Sequence, residues 1–327
     1  MSIAGDLAGK RPWGGLPQEL HPKQRIFLSI DAIDSTKFKS TLAAAKGSTS
    51  DVWAKEFSVF LPEVVVVYWN KLVKAINTHC RSTCSRPCIS ESEVESRHSV
   101  NVWKYIGDEV VLMAELACEK HAFLHVLVLA ETLNYFNRNF ADERIPDDSK
   151  GLLRFKGTAW VAGFPVANIE LCLPGSVAKD RTIKDFLGPS MDLGFRLSKF
   201  SSKDKLVISA SLAFLIAKPA VEGSGTKKDP PPLCFGASVE IKGVRGGKHP
   251  LIWYPVNETA ENRLCIVRHK ELLDFLKNEV FKDMDILPFV PGGDNLDPKY
   301  DAMYEKAAKR QRNIDGSNFF YAEELKD

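Results

Sequence analysis

Residues Asn101 to Met113 read NVWKYIGDEVVLM, two short apolar runs that meet at Gly107-Asp108. Glycine reaches the backbone angles a tight turn needs, so a Gly-X pair between two such runs is a hairpin signal. A second pair of runs, Ala237 to Val244 and Leu251 to Val256, closes in the same way. Strands joined by hairpins are antiparallel neighbours, which removes a doubly wound parallel sheet even though strands and helices are interleaved elsewhere. The sheet is expected to be mixed or antiparallel, and the fold α+β.

Working outward, Arg25 to Asp31 is a strongly apolar strand that ends in an acid. Residues 51–79 carry helical apolar spacing (Val52, Phe57, Phe60, then Val65, Tyr68, Leu72, Ile76), with Pro62 expected to kink the helix. Residues 39–50 and 80–98 read as loops. Helices are expected at 119–140, 189–200, 210–216 and 269–282, and strands at 152–164 and 206–209. Residues 1–21 and 288–298 are rich in Gly and Pro and read as irregular, and the chain ends in a charged helical tail. This divides the chain into a main domain over 1–257, with its core at about 22–257, and a helical C-terminal extension over 258–327.

The bulk numbers exclude more than they assign. With 327 residues, 44% hydrophobic and 26% charged, the chain has the composition of a globular protein. A net charge of +2 gives no reason to expect nucleic-acid binding, and no apolar run is long enough for membrane insertion. The first residues lack the apolar core of a secretory signal, so the cytoplasm is the expected location. Seven cysteines, odd in number and scattered, do not make a disulfide framework. Cys80, Cys84 and Cys88 cluster beside His79; a zinc site is one reading, and reduced thiols in a Ser/Arg/Pro-rich loop the favoured one.

Asp31 ends the first strand and Asp108 sits at the hairpin tip. If the strands lie side by side, two carboxylates converge at one edge of the sheet. Hard oxygen ligands of this kind suit Mg²⁺ or Mn²⁺, which need few protein ligands when a substrate's phosphates complete the shell. The plainer reading is two polar turn residues. In GPSMDLGFRLSKF, Leu193, Leu197 and Phe200 face one way, and Asp192 and Arg196 share a neighbouring stripe. That pair is either a helix-surface ion pair or a phosphate-binding arginine with an acid beside it. Gly194 between them points to a close approach to the backbone. His121 and His125, four apart on a helix, are read as partly buried and not as metal ligands.

Four segments in this order resemble the class III nucleotidyl cyclases, the family of adenylate and guanylate cyclases. LSIDAIDSTKF is similar to the family's metal-binding first strand, and KYIGDEVVL to its Gly-Asp hairpin. DFLGPSMDLGFRL is similar to the segment that carries its ribose-contacting and transition-state residues, and VEIKGVRGGKHPLIWYPV to its closing Lys-Gly hairpin. The resemblance covers roughly 22–257 and implies a ferredoxin-like sheet with helices packed on it. It makes Asp31 and Asp108 ligands of two divalent cations, Mn²⁺ or Mg²⁺, with the backbone of Ala32 beside the second. Lys104 and Asp185 fall where the base is read, Arg196 at the transition-state arginine, and Lys242 where phosphates are held. Asp192 stands where most members have Asn, an acceptor-only group in place of an amide.

WKYIGDE together with DFLGPSMDLGFRLSKFS looks most like the pyrimidine cyclases of the bacterial Pycsar antiphage system, which make cyclic CMP or cyclic UMP for a downstream effector. The resemblance implies a nucleoside triphosphate as substrate and a homodimer with two shared active sites. Lys104 donates and Asp185 accepts, a pairing that serves adenine or cytosine, and uracil in a shifted pose. Tyr105 and Phe186 are candidates to fill the space of a purine's second ring. The subfamily favours UTP, with CTP next. The alternatives are an adenylate cyclase and a catalytically dead, cyclase-like binding module.

Overall fold

The structure, a computed structural model, describes residues 22–46, 51–83, 99–140, 153–174, 182–222, 232–242, 248–284, 287–290 and 306–307. In chain order the elements are β1 (Lys23–Ile33), α1 (Ser35–Lys46), α2 (Asp51–Thr83), β2 (Val100–Ile106), β3 (Glu109–Glu115), α3 (Glu119–Tyr135), β4 (Arg154–Phe164), β5 (Ile169–Pro174) and β6 (Thr182–Leu187). They continue with α4 (Pro189–Leu197), β7 (Lys205–Ile208), α5 (Ala210–Val221), β8 (Leu233–Glu240), β9 (Lys248–Pro255), α6 (Ala260–Cys265), β10 (Ile266–Val267) and α7 (His269–Phe275). Eight strands form one sheet in the order β10-β8-β9-β7-β4-β1-β3-β2, while β5 and β6 pair as a separate ribbon. Within the large sheet, among the described residues, only β4 and β7 pair in parallel. The α+β class with a mixed sheet is the one expected from the two hairpins.

β1 lies between β3 and β4 because its sequence is apolar on both sides. Ile26, Leu28, Ile30 and Ala32 face a large core with Phe60, Val64, Tyr68 and Leu72 of α2, Val126 and Leu129 of α3, Leu215 of α5 and Leu272 of α7. Phe27 faces the other way, into a smaller core with Val111, Trp160, Phe164, Phe186 and Met191. Each such aromatic or aliphatic side chain contributes about 1.5–3 kcal/mol by leaving water. Helices cover one face of the sheet. On the other lie α4 and the β5–β6 ribbon.

Several boundaries differ from the sequence reading. The closing hairpin is β8–β9, earlier than expected, because Leu233 and Cys234 are buried and Cys234 already faces Trp253; a bulge between Phe235 and Ser238 absorbs the shift. The stretch read as a loop from 39 is helical to Lys46 in α1, α2 continues through Pro62, and α5 passes Pro219. The β5–β6 ribbon was not expected at all. After Val256 the chain stays with the body: β10 pairs with β8, and Leu272 and Leu273 enter the large core. The sequence readings for 1–21, for the Cys80/Cys84/Cys88 side chains, for most of 288–298 and for the tail lie outside the described residues.

Candidate functional site

Odd-numbered side chains of β1 line the face turned towards α4. On that face Asp31 stands in register with Glu109 of β3 on one side and Lys156 of β4 on the other. The Lys156 Nζ lies 3.3 Å from Asp31 Oδ2 and donates to the Ser198 carbonyl, just past α4, at 3.4 Å. Ser29 Oγ, one pleat back on β1, donates to Glu109 Oε1. Asp108 is held in the β2–β3 turn by Gly107, whose φ of +65° few other residues adopt readily. Burial pushes the Asp31 carboxyl above its usual range; Lys156 opposes that rise and the Asp108 charge adds to it. Burial likewise raises Glu109, against the Ser29 hydrogen bond and with the charge of Asp31.

The ladder to β3 ends at the Asp31–Glu109 pair, so among the described residues Ala32 has a strand neighbour only on the β4 side, Phe155. Two residues on, just past β1, Asp34 takes a positive φ of 58°, turning the chain into α1. Among the described residues no three His, Cys, Asp or Glu side chains converge as a ready-made metal cage. The donor set of carboxylates and a free-edge main chain nevertheless fits a hard cation that takes its remaining ligands from phosphate oxygens, as Mg²⁺ commonly does.

Lys104 and Asp185 come from different sheets and meet. The Lys104 Nζ lies 2.8 Å from Asp185 Oδ1 and 2.9 Å from Oδ2. A bulge at Trp103 in β2 lets Lys104 face the same side as its partner Val111, and its ammonium also lies 4.6 Å from the Trp103 ring centroid. Asp185 is oriented by the Phe186 amide, which donates to Oδ1 at 2.8 Å. Phe186 itself turns inward: it is 3% exposed, edge-on to Phe27 and Trp103 with centroids 5.3 Å away in each case, so its ring does not line the open face. Tyr105, half exposed, points outward. The ribbon is fastened by Arg25, whose guanidinium pairs with Glu170 and stacks near Phe164 and Phe186. Glu170 and Phe186 are cross-strand partners in the ribbon, so this contact fixes the strand that presents Asp185.

Helix α4 is set by what surrounds it. Its N-terminus has no capping side chain of its own; buried Asn168 supplies one, accepting from the Ser190 amide and donating to the Gly163 carbonyl. Gly194 lies flat on the Trp160 indole, where a β-carbon would overlap the ring. This is the close approach that the glycine signalled. Met191 and Leu197 are buried, which leaves Asp192 and Arg196 on the exposed side. They do not pair with each other among the described residues. Arg196 Nη1 donates to the carbonyl of Lys242, at the end of the β8 segment, and the Lys242 side chain is exposed.

The expected residues thus form three groups: Asp31 with Asp108, Lys104 with Asp185, and Arg196 with Lys242. No hydrogen bond or ion pair among the described residues joins one group directly to another; Lys156 connects the first to the end of α4 through Ser198. Sequence reasoning missed Lys156, Glu109, Asn168 and Arg25. Lysine at the third position of the mostly apolar strand RFKGTAWVAGF, between Phe155 and the glycine, was a readable signal. Arg25, by contrast, looks like a strand-leading surface charge until Glu170 is seen. His121 and His125 are buried, and His125 Nδ1 shares a 2.7 Å hydrogen bond with the Tyr68 hydroxyl.

No protein-family model and no curated protein matches this chain. Solved structures with a similar backbone include the adenylyl cyclase CyaB from P. aeruginosa, at 14% identity and a TM-score of 0.44 over 74% of this chain and 97% of that one. A second is the catalytic core of a rhodopsin-guanylyl cyclase with converted specificity in complex with ATPalphaS, at 15% identity and a TM-score of 0.44 over 71% and 96%. A third is the guanylate cyclase domain of RhGC from Catenaria anguillulae in complex with GTP, at 13% and 0.38 over 71% and 97%.

Proposed function

We propose that this chain is a nucleotidyl cyclase that converts UTP, or CTP, to the 3′,5′-cyclic monophosphate and pyrophosphate. The observation that carries the reading is the Lys104–Asp185 pair: a donor and an acceptor from segments far apart in sequence meet, partly exposed, where the resemblance expects a base to be read. Asp31, Asp108 and the Ala32 backbone would hold two divalent cations, Mn²⁺ or Mg²⁺, which when bound lower the pKa of an attacking hydroxyl and neutralise the phosphate tail. Arg196 meets charge developing on the α-phosphate, a preorganised electrostatic contribution of about 3 kcal/mol in comparable sites. Lys242 holds phosphate oxygens, and Asp192 accepts from the ribose. Two such chains form a homodimer, each site taking its acids from one subunit and Lys104, Asp185 and Arg196 from the other. Tyr105, exposed beside Lys104, is the residue left to narrow the pocket for a pyrimidine.

The role follows from the subfamily resemblance: the cyclic nucleotide is an alarm signal in antiphage defence, read by an effector that does not stay bound. No described helix is long and apolar enough to cross a membrane. An adenylate cyclase is the second reading, because a lysine donor and an aspartate acceptor also match the edge of adenine. Purified protein is incubated with each of the four NTPs and Mn²⁺, and products are separated by mass spectrometry. Cyclic UMP or cyclic CMP as the chief product is expected. Chiefly cyclic AMP replaces the reading with the adenylate cyclase, and no cyclic product from any NTP leaves the binding module.

A further inference from the structure

Lys156 has no part in the activity proposed above, yet it stands where that activity is most sensitive to charge. Asp31 and Glu109 are cross-strand partners and Asp108 precedes Glu109 in the β2–β3 turn, all three partly buried, and the charge of Asp108 adds to the upward push that burial gives both Asp31 and Glu109. The register of β1 on β4 sets Lys156 directly opposite Asp31, and its ammonium touches Asp31 Oδ2. Both side chains of this pair are about three-quarters buried, so water screens the contact only in part. The ammonium has three donors, and a second one reaches the Ser198 carbonyl. That carbonyl follows directly on α4, the helix that bears Asp192 and Arg196.

We propose that Lys156 is a built-in cation of the carboxylate cluster, which a divalent ion must displace from Asp31. The displaced ammonium remains near through Ser198. The inference rests on the reading of Asp31 and Asp108 as metal ligands and deepens it. An ammonium and a divalent cation close together repel, and both need the same carboxylate oxygens. Lys156 therefore weakens divalent binding when the protein is alone. A cation arriving with a triphosphate brings negative charge that compensates the lysine, so the site fills preferentially with substrate. Displacement also removes one of the two anchors by which Lys156 ties Asp31 to the end of α4, linking occupancy of the acids to the helix that carries Arg196.

The test measures Mn²⁺ binding to the full chain without nucleotide, by the electron paramagnetic resonance signal of free Mn²⁺. Lys156→Met, which keeps the stem and removes the charge, is expected to bind Mn²⁺ roughly tenfold more tightly than the unaltered chain. Lys156→Arg, which keeps the charge, is expected to stay near the unaltered value. A second measurement needs no variant: brief acetylation with acetic anhydride, read by peptide mass spectrometry, is expected to modify Lys156 faster once Mn²⁺ is added. Unchanged or weaker Mn²⁺ binding in Lys156→Met, or an acetylation rate at Lys156 that Mn²⁺ does not alter, overturns the inference and leaves the metal ligands standing. No Mn²⁺ bound by either the unaltered chain or Lys156→Met overturns the metal-ligand reading and the inference with it.

Discussion

At the scale of single residues, the acids at the end of β1 and in the β2–β3 turn make the sharpest demand. If they hold the cations, Asp31→Ala and Asp108→Ala each lower cyclisation by about 100-fold or more at saturating Mn²⁺, since Glu109, the remaining carboxylate beside them, already accepts the Ser29 hydrogen bond. Circular dichroism should be unchanged, because Asp31 lies near the end of β1 and Asp108 in the β2–β3 turn, both outside the hydrophobic cores. Turnover near the unaltered rate in either variant would remove the two-metal assignment. His249 makes a different demand. It is 6% exposed on β9, its Nε2 has no hydrogen-bond partner among the described residues, and burial pushes its pKa down to about 4. The unfolded chain takes up a proton near the ordinary value of about 6.5, while the folded chain resists it, so stability is lost as pH falls through that window. Between pH 7 and pH 5 the loss from this one group is about 2 kcal/mol. Urea titrations at both pH values check it: His249→Phe should show a shallower decline than the unaltered chain, and an equal decline removes His249 as the cause.

At the scale of elements, α4 shows how far a sequence can be read. Its apolar spacing and Gly194 declared both the helix and a close contact, though not that Trp160 makes the contact. Gly194→Ala gains up to about 1 kcal/mol of helix propensity and forces the new methyl into the indole, which in a packed core costs about 1–3 kcal/mol. Chemical denaturation should therefore show a net loss of stability; a stabilised variant would mean that the helix can lift from β4. Asn168 was illegible for a different reason, since a cap supplied from outside the helix leaves no mark in the helix's own sequence. The β5–β6 ribbon was illegible for a third: its strands are short, and what fixes them is the buried Arg25–Glu170 pair, a contact between residues distant in the chain. Local pattern exposed β1, β2, β3 and the long helices because their period is strong. It failed at α1, whose Ser, Thr, Lys and Ala composition has little amphipathic contrast.

At the scale of the whole molecule, the class of fold was readable from two hairpins, while the strand order was not, because β1–β4 and β4–β7 neighbours are set by tertiary packing. The three groups of candidate residues are not joined within one chain by any direct bond among the described residues; in the proposed dimer the acids of one chain would meet Lys104, Asp185 and Arg196 of the other. Asp108→Ala and Arg196→Ala should each be inactive alone, since each damages both sites of a homodimer. After mixing and subunit exchange, about half of the dimers are mixed, and each has one intact site, so activity should return to about one quarter of the unaltered level. No recovery, with exchange confirmed by differently tagged subunits, would place the whole site in one chain. The central position of β1 also has a consequence during synthesis. Among the described strands it is made first, and one of its two neighbours, β4, is roughly 130 residues away in register, a delay on the order of ten seconds at ordinary translation rates. For that interval Ile26 to Ile30 has an apolar edge with no β4 beside it, so the strand that carries Asp31 is also open to capture by chaperones or by another nascent chain.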